Sequence, residues 1–409
     1  MSPAPATARR ALGALAAAAL ATAWIFAAIW LWRTSVPSDL TLPNLDPHRF
    51  FGDPLLSRTA SYEAFLRIDA LLAALAQLVA LGFFAVKGPA FVRESAAGRI
   101  GTGMLLGMLG LAFVWIAELP FGVAALWWER RHGISSQGYV TWLIDDFLSA
   151  GGQFLFISLA LLIVMSLAGL WRRWWWLAAA PALLAVTLLF AFVQPYLIPG
   201  VHPLRDAALA SDAEAIAARE GVHNAPVRVQ DTHNLGGSPN AEATGIGPSR
   251  RVIVWDTLLE RFPTREVRVV LAHEYGHLAH DHVLKELAWL ALLAVPIAFV
   301  LTIATRRRGG LYEPAAIPLA LFVVAVLLLV LSPLQQAYSR HLESEADWSA
   351  LQTTRNPGVA KALFRRFTRI ALIEPTSPTW SNLLFGSHPD PMHRIEMAAA
   401  WRRLNSRAR

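Results

Sequence analysis

The chain has 409 residues, of which 55% are hydrophobic and only 16% charged, with a mean hydropathy of +0.42. Soluble domains carry about 25% charged residues, and here the apolar residues run in long blocks, which excludes a string of ordinary soluble domains and points to a polytopic membrane protein. There is no cysteine, so disulfides and thiolate metal sites are excluded, and the net charge of +7 is explained by Arg at helix ends facing anionic lipid rather than by nucleic acid.

Residues 11–32 form a charge-free run behind Arg9 and Arg10, long enough to span a bilayer and long for a cleaved signal segment, so an uncleaved first helix is expected. A polar, Pro-dotted stretch leads to a second span from Ile68 to Val86. The third, Ile100 to Trp128, carries Glu118 just before Pro120; it either faces a polar interior or lies at a helix break that touches water. The fourth covers Phe147 to Trp171. Arg172 and Arg173 make a tight turn, and Trp174-Trp175-Trp176 open the fifth span as an interfacial aromatic belt.

From Tyr196 to Lys285 the sequence turns polar. Val227–Gln230 and Arg251–Trp255 read as short strands joined by a Gly/Pro/Asn-rich connection, and a helix starts near Arg265. Spans six (Leu287–Thr305) and seven (Ala315–Ser332) follow, separated by Arg306-Arg307-Arg308, and the remainder to Arg409 is soluble in character and mostly helical. The expected division is a five-helix membrane region over 1–195, a first catalytic segment over 196–285, a membrane hairpin over 286–334 and a second catalytic segment over 335–409.

The helix after Pro263 contains His273-Glu274-Tyr275-Gly276-His277, an H-E-x-x-H sequence. Residues four apart share a helix face, so His273 and His277 can turn ring nitrogens to one metal ion, with Glu274 close by to take a proton from water. Two histidines leave a catalytic zinc short of a ligand. In Ser339–Asp347, Glu343 and Asp347 share a face while Glu345 points elsewhere. That suits Glu343 as third ligand and Asp347 as acceptor for a ligand histidine's N–H; the competing reading is a solvated acidic face. His280 and His282 read as helix-face residues.

These motifs resemble the type I CAAX prenyl endopeptidase family of membrane zinc peptidases, over nearly the whole chain. The family's H-E-x-G-H-x-x-x-x-H is met by His273, Glu274, Gly276, His277 and His282. Its S-R-x-x-E-x-x-A-D is met by Ser339, Arg340, Glu343, Ala346 and Asp347, and its late H-P-x-x-x-x-R-I by His388, Pro389, Arg394 and Ile395. The resemblance implies one zinc ion held by His273, His277 and Glu343, Glu274 as general base, and His388 and Arg394 near the substrate as candidate donors to an oxyanion. It also implies seven membrane helices around a chamber, capped by a zincin-like domain with a small β element, hence a mainly α fold. Asn240-Ala241 occupy the place of the family's substrate-binding edge strand. Glu242 and Ala243 then stand where the prenyl-protein enzymes usually have aromatic residues, a departure that leaves general peptide binding and weakens any preference for prenylated substrates.

The expected protein is thus an integral membrane zinc metalloendopeptidase acting on peptides or proteins. A membrane-protein quality-control protease is the nearest rival, and a seven-span transporter or receptor with a structural zinc the more distant one. The family likeness places the catalytic domain on the cytoplasmic side of the cell membrane. The short-segment basic residues Arg9, Arg10, Lys87, Arg93, Arg99, Arg172, Arg173 and Arg306 to Arg308 favour the opposite orientation.

Overall fold

A computed structural model describes residues 6–92, 97–172, 174–232 and 238–407. Arg93, Arg173 and Arg409 lie outside them, as do the side chains of Arg9 and Arg10. The membrane region opens with five helices: α1 (Ala6–Leu31), α2 (Asp53–Lys87), α3 (Gly98–His132), α4 (Tyr139–Trp171) and α5 (Trp175–Leu197). The polar half follows with β1 (Val201–Pro203), α6 (Ala207–Arg219), β2 (Val227–Gln230), β3 (Ala241–Thr244), β4 (Arg251–Trp255), α7 (Asp256–Arg261) and α8 (Thr264–Ala279). Two long helices, α9 (His282–Thr305) and α10 (Ile317–Thr354), return the chain through the apolar layer. The fold closes on α11 (Pro357–Ala371), α12 (Thr379–Leu384) and α13 (Pro391–Arg407).

Six helices among the described residues are long and apolar enough to cross a membrane: α2 to α5, α9 and α10. The protein is an integral multi-pass membrane protein. The expected seventh span is α1; it is helical over 26 residues, but its described apolar stretch, Ala18–Leu31, is too short to count as one. The helices outrun the expected spans because an apolar window marks only the lipid-facing part: α2 starts 15 residues before Ile68, and α10 continues from Ser332 to Thr354 without a break. The compositional boundaries at 195, 285 and 334 therefore all fall inside helices, α5, α9 and α10.

Glu118 sits in an unbroken α3 that runs through Pro120, and it lines a cavity of about 330 Å³ with Asp69 and Asp146, between α2, α3 and α4. The polar-interior alternative is the one observed. The tryptophan triplet divides: Trp174 is exposed, while Trp175 is buried in the cluster of Phe84, Met165 and Ile317, and Trp176 meets Phe299 edge-on. Only Trp174 fits an interfacial belt.

Both expected strands form at the expected residues, as β2 and β4. The sheet order is β1-β2-β4-β3, with β2 and β4 parallel and the outer strands antiparallel. β3 pairs through Ala241↔Val254 and Ala243↔Val252 and is an edge strand. Its apolar neighbours, with Leu258, Leu271, Ile395 and Trp348, form the core that holds α8 in place. Gly276 lets α8 and α10 touch: a Cβ there would lie 3.0 Å from the Cβ of Ser349 and 3.3 Å from the Ala346 carbonyl oxygen.

Candidate metal centre

On α8, the Nε2 atoms of His273 and His277 converge to 3.1 Å. Against that pair α10 sets Glu343, with Oε2 3.3 Å from His273 Nε2 and Oε1 3.4 Å from His277 Nε2. One ligand atom from each residue lies within 4.8 Å of the others, and Glu343 Oε2 is buried with no hydrogen-bond partner. Three convergent N and O donors with an orphaned carboxylate oxygen fit a zinc-type cation held by two imidazoles and a carboxylate. Glu274, 6% exposed, faces the same space.

Asp347 stands one helical turn beyond Glu343 and accepts from His273, Nδ1 to Oδ1 at 3.0 Å. That contact puts the His273 proton on Nδ1 and leaves Nε2 free for the metal. Burial works against a charged His273, but Asp347 and Glu343 outweigh it and raise its pKa to about 10 in the metal-free chain. Arg394 lines the same cavity and also pairs with Asp347. Its Nε and Nη2 form a fork on Asp347 at 2.7 and 2.6 Å, and its guanidinium lies 4.4 Å from the Phe364 ring centre. Bidentate pairing and stacking fix the guanidinium against Asp347.

His388 lies across the cavity, 61% exposed at the side chain, with Nε2 3.4 Å from Glu343 Oε1. Desolvation lowers its pKa, which favours a neutral ring. The loop that carries it is held by Arg340, which donates to the carbonyls of Asn382 and Gly386. Asp390 closes the loop by accepting from Ser377 N and Asn382 Nδ2.

The metal locus, Glu274, Asp347, Arg394 and the His388 loop open on one cavity of about 860 Å³, walled also by Asn240, by Ala241 to Ala243 of the edge strand, by Glu63 and Arg67 of α2 and by Glu286 of α9. Arg67 is paired to Glu374 at 2.6 Å. Glu242 has its pKa raised by burial first and by the charge of Glu274 second.

Residues 203–402 match peptidase family M48. That match takes in just under half of the chain and holds the motifs at 273–277, 339–347 and 388–395. Among its relatives, the uncharacterized metalloprotease YhfN of Bacillus subtilis (strain 168) is 28% identical over 284 residues, 65% of this chain and 66% of that one. The CAAX prenyl protease 1 homolog of Dictyostelium discoideum is 29% identical over 256 residues, 58% of this chain and 59% of its own length. The chain thus spans just under two thirds of these relatives' lengths. The crystal structure of S. mikatae Ste24p shares the fold, with a TM-score of 0.71 over 92% of this chain and 96% of that chain at 18% identity. The family read from the motifs is borne out.

The sequence motifs named nine site residues, and the fold brings Glu274, His273, His277, Glu343, Asp347, His388, Arg394, Asn240 and Ala241 to one cavity or its immediate support. What they left out is the support behind His277. His282 is 2% exposed rather than on a helix face, because Asp281 at φ 53° ends α8 and turns the chain back. Glu345 points away from the metal locus, as the helix period requires, but it too is buried and bonded to His282 at 3.0 Å. The one available signal was His282 itself, the last position of the H-E-x-G-H-x-x-x-x-H motif.

Proposed function

We propose that this chain is an integral membrane zinc metalloendopeptidase that hydrolyses peptide bonds in peptide or protein substrates. The observation that carries the reading is the convergence of His273, His277 and Glu343 beside Glu274 in a large cavity that the outer strand β3 lines. His273, His277 and Glu343 would hold one zinc ion, which supplies Lewis acidity and makes water acidic enough to ionise near pH 7.

Glu274 takes the proton of the attacking water on a carboxylate oxygen and returns it to the leaving amine. The His388 imidazole, neutral and facing the cavity, donates an N–H to the carbonyl oxygen as negative charge builds there. Arg394 and Asp347 keep His273 in the Nδ1–H tautomer with its ring fixed. An extended substrate adds to β3 by main-chain hydrogen bonds, with Asn240 and Ala241 at the start of that strand.

The family likeness puts the catalytic half on the cytoplasmic face of the cell membrane. A reporter fused after Arg409 decides between that and the orientation favoured by the basic short segments.

The activity is tested with Glu274→Gln, measuring zinc content and cleavage of a broad peptide panel. Zinc should stay at one per chain while the rate falls at least ~10²-fold. A wild-type chain that holds one zinc yet cleaves nothing on the panel would sink the enzyme reading in favour of a structural metal.

A further inference from the structure

The two ligand histidines are supported by different arrangements. His273 rests directly on a carboxylate, Asp347. His277 instead reaches one through a second imidazole. Its Nδ1 lies 2.8 Å from Nδ1 of His282, whose Nε2 lies 3.0 Å from Glu345 Oε2.

With His277 Nε2 turned to the metal locus, its proton must sit on Nδ1 and be donated to His282. His282 then accepts on Nδ1, carries its own proton on Nε2 and donates that to Glu345. Each link has one donor and one acceptor, so a single arrangement of protons satisfies the chain. Glu345 further accepts from Lys285 Nζ at 2.9 Å and from the backbone N–H of Ser35. Each carboxylate behind a ligand histidine is therefore held by a cation: Asp347 by Arg394, and Glu345 by Lys285.

Ser35 lies in the segment that leaves α1. The same segment is fixed by His341 Nε2 to the Trp32 carbonyl at 2.8 Å, and Trp32 stacks on the His341 ring at 5.1 Å between centroids. The route from the metal locus thus runs His277, His282, Glu345, Ser35, and ends at the segment that leaves α1.

We propose that His282 and Glu345 are positioning residues for the metal, and that Ser35 ties α1 into the same support. The proposal rests on the reading of this centre as a zinc site, not on its hydrolytic activity. If these residues only fastened α9 to α10, their loss would change the melting temperature and leave zinc affinity alone. If they orient His277 and strengthen it as a ligand, zinc affinity falls, as is usual for carboxylates behind ligand histidines.

The test uses the full chain in detergent micelles, with zinc affinity from competition against a chromophoric chelator and melting followed in parallel. Glu345→Gln and His282→Leu should each weaken zinc binding by about 10- to 100-fold. The double variant should lose little more than either single one, because both break one relay. His282→Gln, whose amide can accept at one end and donate at the other, should recover part of the loss. Ser35→Pro removes the backbone donor, at the cost of fixing φ at 35 and restricting Thr34, and should weaken zinc binding severalfold without touching a buried side chain, so it reports even if the buried variants do not fold. Zinc affinity within twofold of wild type in folded Glu345→Gln, or in Ser35→Pro, would overturn the proposal. Because affinity is read without substrate, a chain that binds zinc but cleaves nothing rejects the enzyme reading alone.

Discussion

At the residue scale, the centre is two ionised networks that meet at one point. In the metal-free chain His273 is held protonated up to a pKa of about 10, against its burial, by Asp347 and Glu343. Zinc must displace that proton. The sign follows: below about 10 the proton competes, so zinc affinity rises with pH through the neutral range, by up to about tenfold per unit. Isothermal titration at two pH values, with proton release measured in two buffers, checks this; pH-independent affinity from 6 to 8 would contradict it. Arg394→Lys keeps the charge but loses the fork on Asp347, and should weaken zinc binding more than an exposed Arg→Lys change. Sequence spacing made the ligand pair legible because four residues on a helix fix a direction. The pairing of Arg394 with Asp347 was not legible, since a guanidinium near a site can meet either a substrate or a carboxylate.

At the scale of elements, the centre depends on how closely α8 and α10 approach. Gly276→Ala would place a methyl 3.0 Å from the Ser349 Cβ and against backbone of α10. Overpacking of this kind costs about 1–3 kcal/mol. Thermal unfolding should show that loss together with weaker zinc binding, since the helix that shifts carries Glu343. β3 makes a separate prediction. Glu242 stands on the substrate edge beside Glu274, so peptides with Lys or Arg next to the cleaved bond should be preferred, and Glu242→Gln should narrow the preference; kcat/KM on paired Lys and Gln peptides measures it. The strands were legible from their Val/Ile content and turn residues. The break at Asp281 was not, because a left-handed residue without glycine leaves little trace in sequence, and with it went the place of His282.

At the scale of the whole molecule, composition gave the membrane class and motif order gave the family, while helix ends and the number of spans needed coordinates. A hydropathy window sees where lipid begins, not where hydrogen bonding stops. The end of the bundle opposite the catalytic half gathers Lys87, Arg99, Arg172 and Arg306 to Arg308, bound in part by Arg99 to Glu313 at 2.7 Å and Arg308 to the Ala85 carbonyl at 2.9 Å. α10 starts near that end and finishes past the metal centre. Its 38 residues make a rod of about 57 Å, of which a bilayer's hydrocarbon layer covers roughly 30 Å. One end of this lever is set by lipid thickness and the other carries Glu343. A thinner or thicker bilayer is met by tilting such a helix, and tilt at the lipid end swings the carboxylate against a histidine pair held on another element. The lipid mixture is then a setting of the active centre: zinc affinity in vesicles of graded acyl-chain length should pass through a maximum, where detergent gives a single value.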